Sequence, residues 1–385
     1  LEKATLNCVF GKKFTTYSST VNMCMINSRL FEHYNINTNK NLNEQERCPR
    51  PFDTVLIDKM GSCYACECQS WLPQSIGNLQ VRTLKQIIQD KGMRQHLQSS
   101  VSDGTYRYCN NSQCTYLIGQ YEAKGKAVDR IRHLRLAIDD SCNLRCPSCR
   151  KGLIFHKSGT AYQLGIKLAD RINDWLRTCD HQLQVHLGSD GDPFASHVYR
   201  HFMGQTPERD NIKYSILTNA LMFKEFSPRV PNVIRNLKEL GVSMDGASRD
   251  TYEQIRLGGR WDKINAELQA ISEQKQQHGF TFVLHFVIQE KNYHEMEDML
   301  ALGRHYGADR VYFNRMQDWG VMQDFERHNI FSDKHPEHQS YIKQLEILKQ
   351  AVKLKSEADG SNFLEASQLF ENWWAVDDQR HSRLK

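Results

Sequence analysis

The chain has 385 residues, and 39% of them are hydrophobic, which allows a substantial core and excludes wholesale disorder. Fifty basic residues against 45 acidic ones give a formal charge of +5, a mild excess that gives no clear nucleic-acid-binding signal. No run of about 18 or more apolar residues occurs, and no apolar signal region follows Leu1. We therefore predict no membrane span and a cytoplasmic location.

The twelve cysteines are the most informative residues, because nine of them lie between Cys48 and Cys149 in tight groups. An even number of cysteines can form disulfides, but disulfide-dense chains are small scaffolds that lack a core. Grouped thiols in a chain of this length indicate metal ligation in a reducing compartment. Three cysteines lie outside these groups and are predicted to be ordinary buried thiols: Cys8, Cys24 and Cys179.

The first third of the chain contains few regular elements. Residues 1–45 form an N-terminal segment of unknown role. Residues 46–118 are rich in cysteines and turns, with one helix near residues 83–97. Residues 119–130 are predicted to form a linker.

From residue 131 onward, short strands alternate with longer helices. The predicted strands are 133–138, 183–187, 212–217, 242–245, 280–288 and 310–313, and the main predicted helices are 165–177, 230–240, 262–277 and 294–305. Such alternation indicates parallel strand–helix–strand units. The fold class is therefore α/β: a partial (β/α)6 TIM-like barrel over residues 131–320, preceded by a small cysteine-rich domain and followed by a helical extension at 321–385.

The strand at 280–288 has an apolar face and a more polar face. Phe282, Leu284 and Phe286 share the first face, and His285 lies on the second. Side chains alternate across a strand, so the apolar face should pack on the helices and the other face should line a lumen. A substrate could sit in that lumen.

Cys142, Cys146 and Cys149 follow the first barrel strand with the spacing C-x3-C-x2-C. The carboxyl ends of barrel strands are where such folds place catalytic groups. Three thiolates can bind three irons of a 4Fe–4S cluster and leave the fourth iron open. The alternative is a zinc site, which prefers paired C-x2-C units and four closed ligands.

With this triplet, residues 131–318 resemble the radical S-adenosylmethionine superfamily, although Ser148 stands where that family usually has an aromatic residue. The resemblance implies a 4Fe–4S cluster that reductively cleaves S-adenosylmethionine to a 5′-deoxyadenosyl radical. It also implies an external electron donor such as flavodoxin or ferredoxin.

The same resemblance implies a set of cofactor-binding residues, each near a strand end. Residues 188–193 resemble the family's Gly-Gly-Glu-Pro turn, which receives the methionyl amino group. Arg256 matches an arginine that neutralises the methionyl carboxylate in similar enzymes. The full set of expected cofactor-binding residues is Gly191, Asp192, Asn219, Ser243 and Arg256.

The upstream cysteines resemble the auxiliary-cluster domains called SPASM and twitch. The resemblance implies an auxiliary 4Fe–4S cluster on Cys48, Cys66, Cys109 and Cys114, with Cys63 and Cys68 as spare or alternative ligands. In most relatives this domain follows the barrel, whereas here it precedes it. The alternative is a structural zinc ribbon, since four cysteines in two groups suit zinc as well.

The resemblance implies an enzyme that abstracts a hydrogen atom from a small-molecule, sugar or peptide substrate. Oxidation, epimerisation and cross-linking all stay open. The alternatives are a non-catalytic iron–sulfur electron carrier and a zinc-binding interaction protein. Two residues are candidates for taking a substrate proton: Asp318, which follows the last barrel strand beside Trp319, and His285 on the polar strand face.

Overall fold

The structure, a computed structural model, describes residues 48–66, 75–109, 130–316 and 318–359. The predicted N-terminal segment and nearly all of the predicted linker lie outside these residues, as do Cys8, Cys24, Cys68 and Cys114. No helix among the described residues is long and apolar enough to cross a membrane.

Nine strands are present in the described residues: β1 (Thr54–Asp58), β2 (Ser62–Tyr64), β3 (Gly77–Asn78), β4 (His133–Ala137), β5 (Leu183–Leu187), β6 (Ile212–Thr218), β7 (Leu237–Ser243), β8 (Thr281–Ile288) and β9 (Arg310–Arg315). The helices of the same residues are α1 (Arg50–Asp53), α2 (Leu84–Gln89), α3 (Gly92–Ser102), α4 (Gly159–Thr178), α5 (His197–Gly204), α6 (Phe223–Phe226), α7 (Pro231–Arg235), α8 (Arg249–Ile255), α9 (Trp261–His278), α10 (Met296–His305), α11 (Phe325–His328) and α12 (His338–Asp359).

The strands β4 to β9 follow one another in the sheet in chain order, and each pairs with the next in parallel. Helices lie between all successive pairs of these strands. This arrangement confirms the predicted α/β class and the partial (β/α)6 barrel. All six carboxyl ends meet at one edge, which is where the cysteine triplet begins.

The upstream segment joins the same sheet. Strand β1 pairs in parallel with β4, placing Thr54 opposite His133, and β2 and β3 continue the sheet in antiparallel fashion. The sequence analysis predicted no strand at residues 54–58. That residues 46–118 form a domain of their own stays a prediction, but their first strand is an edge extension of the barrel sheet.

Two helix predictions differ from the structure. The helix expected at 230–240 ends at Arg235, and Leu237 begins the strand β7. Val233, Ile234, Leu237 and Leu240 have helical spacing, but pairing with β6 and β8 overrides it. The single helix expected at 83–97 is two helices, because Asp90 leaves the helical conformation with ψ 122°.

The core lies between the strands and the outer helices. Leu168, Ile172 and Leu176 of α4 are fully buried, as the helical spacing predicts. On β8, Phe282, Leu284 and Phe286 are likewise fully buried. The predicted apolar face of that strand is confirmed, and His285 lies on the opposite face.

Candidate functional site

The cysteine triplet lies on the loop after β4, and backbone hydrogen bonds fix this loop. The amide of Cys142 donates to the carbonyl of Ile154 at 2.8 Å, and the amide of Cys149 donates to the carbonyl of Cys146 at 3.0 Å. Cys142 and Cys146 are buried, and Cys149 is exposed. The loop therefore has a fixed conformation at the mouth of the barrel, and it exposes one of its three cysteines to solvent.

Every sulfur of the triplet accepts a hydrogen bond from nitrogen, and the donors come from different parts of the barrel. Cys142 accepts from the Leu144 amide at 3.4 Å and from Asn219 at 3.6 Å, Cys146 accepts from Arg256 at 3.7 Å, and Cys149 accepts from Arg150 at 3.6 Å. Hydrogen bonds of this kind stabilise thiolates and tune iron–sulfur clusters. The donor set fits a three-cysteine iron–sulfur site.

The two buried thiols are disfavoured as bare thiolates. Burial, reinforced by the Asp192 carboxylate, raises the pKa of Cys142 to about 11. Burial also raises the pKa of Cys146, although the Arg256 charge opposes this effect. A coordinated metal deprotonates its thiol ligands outright, so a bound cluster would supply the positive charge that these thiols need.

The turn after β5 passes very close to the cysteine loop. Gly191 has φ +67°, and a Cβ atom there would lie 2.6 Å from the Asp139 carbonyl oxygen and 2.7 Å from that of Ser141. At Gly188 a Cβ atom would lie 2.0 Å from the Leu217 carbonyl oxygen. Only glycine fits these positions, so the turn is shaped by contact with its neighbours.

The side chain of Asp192 is almost fully buried and is used within the protein. One carboxylate oxygen accepts from the amides of Phe194 and Ala195 at 3.1 and 2.9 Å. The other accepts from the Thr218 hydroxyl at 2.8 Å and from the Asn219 amide at 2.7 Å. Asp192 therefore ties the β5 turn to the end of β6, and its contact with a cofactor amino group stays a prediction.

Arg256 lies beside the triplet and forms a buried ion pair that the sequence analysis did not predict. Its guanidinium is 2.8 Å from the carboxylate of Asp245, and both side chains are mostly buried. The other oxygen of Asp245 accepts from the Val287 amide at 2.7 Å. Because Asp245 follows β7 on the same face as Ser243, its position was visible in the sequence, but its partner was not.

Asn219 and Ser243 both lie at strand ends near the triplet. Asn219 donates to Asn143 at 2.8 Å as well as to the Cys142 sulfur, so it supports the cysteine loop. Ser243 is half-buried and stands opposite His285 in the pairing of β7 with β8. The structure thus brings four predicted residues, Asp192, Asn219, Ser243 and Arg256, to the mouth of the barrel.

His285 lies on the inner face of β8 as predicted. Its ring is 5.4 Å from that of Tyr312, and its Nδ1 atom is 3.5 Å from the Asn314 amide nitrogen. A Cβ atom at Gly241 would lie 2.7 Å from its Nε2 atom, so a glycine makes room for the ring. Burial, with the Arg310 and Arg256 charges, lowers the pKa of His285 to about 4. The ring is neutral at pH 7 and can accept a proton.

Asp318 has different surroundings from those expected. It is exposed, and one carboxylate oxygen accepts from the amide of Gly320 at 2.7 Å, two residues on. Trp319 is 68% exposed, so it does not exclude water from the carboxylate. The expected shielding of Asp318 by Trp319 is wrong, and a catalytic role for Asp318 loses its physical basis.

The five described cysteines outside the triplet have different surroundings. Cys48 and Cys109 belong to one small apolar cluster with Val101, Tyr106 and Phe52, which brings these two predicted ligands together. Cys63 is fully buried in the main core, and burial raises its pKa to about 12. Cys66 is half-buried, and Cys179 is a buried thiol as expected.

A polar network beside the triplet was missed by the sequence analysis. The carboxylate of Asp140 is 2.5 Å from the Lys59 ammonium and 2.8 Å from His156 Nε2. Arg150 donates to the Asp140 carbonyl at 2.8 Å. Because Lys59 belongs to the turn after β1, this network connects the upstream segment to the cysteine loop. The adjacent acids Asp139 and Asp140 were a visible signal, but Lys59 is far away in sequence.

Comparisons with known proteins give partial matches. No family model matches the chain. It is 27% identical over 151 residues to a GTP 3′,8-cyclase of Alkaliphilus oremlandii, covering 37% of the chain and 43% of that protein. It is 22% identical over 229 residues to an uncharacterized protein of Methanocaldococcus jannaschii, covering 57% of the chain and 76% of that protein.

Among solved structures, the chain resembles Streptococcus suis SuiB bound to its precursor peptide SuiA. The TM-score is 0.42 at 14% identity, with 58% of this chain and 46% of SuiB covered. The chain thus spans less than half of SuiB and of the GTP 3′,8-cyclase. The chain resembles the radical S-adenosylmethionine superfamily in its C-x3-C-x2-C triplet and in the place of that triplet after the first of six parallel strands.

Proposed function

We propose that the protein is a radical S-adenosylmethionine enzyme whose triplet Cys142, Cys146 and Cys149 holds a 4Fe–4S cluster. The observation that carries the proposal is the set of nitrogen donors that reach all three sulfurs at the carboxyl edge of the barrel. When bound, the cluster would supply the electron that cleaves S-adenosylmethionine to a 5′-deoxyadenosyl radical. An external donor such as flavodoxin or ferredoxin would reduce it.

The surrounding residues would hold and orient the cofactor. The turn at Gly191 approaches the cysteine loop closely, and its backbone would receive the methionyl amino group. Ser243 presents its hydroxyl at the end of β7, near the place expected for the ribose or carboxylate. Asp192 joins the turn after β5 to the end of β6, and Asn219 joins the end of β6 to the cysteine loop. Arg256 joins that loop to Asp245, which follows β7.

The substrate would enter the lumen, and His285 is the residue that we propose to take its proton. It is half-buried and neutral at pH 7, and it lies on the inner face between β7 and β9. A neutral imidazole within reach of the reacting atoms can accept a proton as a general base, and the low pKa of His285 keeps it in that neutral form. The exposed Asp318 is the weaker candidate because Trp319 does not exclude water from it.

We further propose that Cys48, Cys66, Cys109 and Cys114 hold an auxiliary 4Fe–4S cluster. The apolar cluster shared by Cys48 and Cys109 supports this assignment, since it brings together residues 61 positions apart. An auxiliary cluster can take the second electron of an oxidation. A twitch or SPASM type of domain in this segment is the corresponding proposal.

The substrate class stays open among small molecules, sugars and peptides. SuiB has been solved with its precursor peptide and with S-adenosylmethionine, and the curated relative is a GTP 3′,8-cyclase. Hydrogen-atom abstraction would serve oxidation, epimerisation or cross-linking alike.

The test is cofactor cleavage by anaerobically reconstituted, reduced protein. Replacing Cys142, Cys146 and Cys149 together by alanine should abolish formation of 5′-deoxyadenosine and leave about four of about eight irons. Cys179→Ala, which removes a buried thiol outside both groups, is the matched control and should keep both. Cleavage by the triple variant would rule out the triplet as the cluster site.

A further inference from the structure

A pocket of about 860 Å³ lies at the mouth of the barrel, beside the cysteine loop. Arg145 and Pro147 of that loop form one wall, and Gln289 and Met316, just after β8 and β9, form the opposite wall. Pockets that bind small molecules have volumes of about 300–1,000 Å³. The pocket therefore has the size of a site for a small organic molecule.

The lining of this pocket is strongly cationic. The lining contains four cationic side chains and one carboxylate. The cations are Arg145, Arg150, Lys151 and Lys291, and the carboxylate is that of Glu290. The oxygens of Glu290 are engaged by imidazole nitrogens, at 2.7 Å from His328 and 3.4 Å from His335. The single acid thus has histidine partners of its own, and the lining carries more cationic than anionic side chains.

Three of these cations have no partner within the part of the chain that the structure describes. The side chains of Arg145, Lys151 and Lys291 are exposed and form no hydrogen bond or ion pair there. Elsewhere, Lys275 is bound to Asp309 at 2.7 Å and Arg249 to Asp262 at 2.5 Å. Like charges gathered around a concave surface repel one another, and a bound anion relieves that repulsion.

We propose that this pocket binds the anionic group of a small substrate, either a phosphate or a set of clustered carboxylates. The assignment of the ligand as the substrate rests on the proposed function, whereas anion binding itself does not. Cations beside the cysteine loop would hold the charged end of the substrate while its uncharged part reaches the lumen. Three neighbouring glutamines, Gln254, Gln289 and Gln323, line the same pocket and can donate further hydrogen bonds to oxygen.

The test is a calorimetric titration of reconstituted protein with inorganic pyrophosphate and, separately, with citrate. The variant is Lys151→Gln together with Lys291→Gln, both outside the cysteine triplet. The matched control is Lys167→Gln together with Lys343→Gln, which removes the same charge from exposed positions on α4 and α12. Loss of two ion pairs should weaken binding about tenfold in the pocket variant and less than about twofold in the control.

Preferential binding of pyrophosphate would indicate a phosphate-bearing substrate, and preferential binding of citrate a polycarboxylate. Equal weakening in both variants, or no binding by the unmodified protein, overturns the proposal. Loss of pyrophosphate binding in saturating S-adenosylmethionine also overturns it, because the pocket would then belong to the cofactor. Absence of cofactor cleavage by the unmodified protein would refute the proposed function and leave the anion titration interpretable.

Discussion

The cysteines of the barrel loop and those of the upstream segment have different surroundings. The sulfurs of Cys142, Cys146 and Cys149 accept hydrogen bonds from nitrogen. Cys63 is fully buried in the same main core that contains Cys142 and Cys146, and its thiol donates to the Gly61 carbonyl at 3.7 Å. Spacing in the sequence groups both kinds together, whereas the structure gives the triplet sulfurs the side-chain donors Asn219, Arg256 and Arg150, which stabilise a thiolate.

Cys48 and Cys109 lie between these extremes. They pack together with Val101 and Tyr106 in a small cluster apart from the main core. Two thiols in one cluster at this separation in sequence fit ligation better than they fit packing alone. The comparison therefore separates Cys63 from the predicted auxiliary ligands, and the largest expected effects test that separation.

The largest effect should follow replacement of Cys48 and Cys109 by alanine. We expect this variant to keep cofactor cleavage, to lose product formation and to retain about four of about eight irons. Cys63→Ala is the matched control, expected to keep all iron and to lose about 1 kcal/mol of unfolding free energy through a small cavity. Iron analysis and urea unfolding measure the two quantities. Unchanged iron in the double variant would make the auxiliary site wrong.

The next effect concerns the lumen beside the triplet. His285→Gln should still form 5′-deoxyadenosine when substrate is present but should form product about a hundredfold more slowly, the scale of a lost general base. Asp318→Asn, at an exposed carboxylate, should form product at the unmodified rate. Product formation and 5′-deoxyadenosine are quantified in the same reaction. The reverse pattern would make Asp318 the proton acceptor instead.

A smaller effect is expected on stability at the triplet. Arg256→Met leaves the buried carboxylate of Asp245 without its partner and should cost about 3 kcal/mol of unfolding free energy. Adding Asp245→Asn removes the charge and keeps an acceptor for the Val287 amide, so most of the loss should be recovered. Arg249→Met, at the exposed pair with Asp262, should cost less than about 1 kcal/mol. Equal costs at the two arginines would show that the Arg256 pair gains nothing from burial.

The sequence predicted the barrel better than it predicted the site. The strand at 183–187 has the bounds that its β-branched and apolar residues indicated, and four other strands were found within two residues at each end, but β7 begins at Leu237 instead of the predicted residue 242. The triplet, Asn219, Ser243 and Arg256 lie together because parallel strands end at one edge. Motif order therefore indicated which side chains would lie at this edge, and their roles as ligands stay predictions.

Long-range partners could not be predicted in the same way. The pairing of β1 with β4, the contact of Lys59 with Asp140 and the pairing of Arg256 with Asp245 join residues that no local pattern connects. The same holds for Asp192, whose motif position suggested a ligand contact while its four donors form a structural clamp. A local sequence pattern predicts where a side chain lies along the chain. Only the fold determines which groups form hydrogen bonds with it.

The smallest expected effect tests how firmly the upstream segment is joined to the barrel. His133 stands opposite Thr54 of β1, and its Nδ1 atom lies 3.1 Å from Nε2 of His186. Burial, with the Arg135 charge, lowers the pKa of His186 from 6.5 to about 2. Below pH 6.5 the unfolded chain therefore binds a proton at this residue, and the folded chain does not. The contribution of His186 to the free energy of unfolding is present above pH 6.5 and is lost as the pH falls below that value.

Between pH 7 and pH 5.5 this residue should account for a loss of about 1 kcal/mol of unfolding free energy. His186→Gln should remove that part of the pH dependence, whereas His278→Gln, at an exposed position near the end of α9, should leave it unchanged. Urea unfolding at the two pH values measures the difference. If the pH dependence survives in His186→Gln, other titrating groups carry it, and His186 does not report on this edge of the sheet. If it disappears, the edge where the upstream segment meets the barrel is as dry as the barrel core.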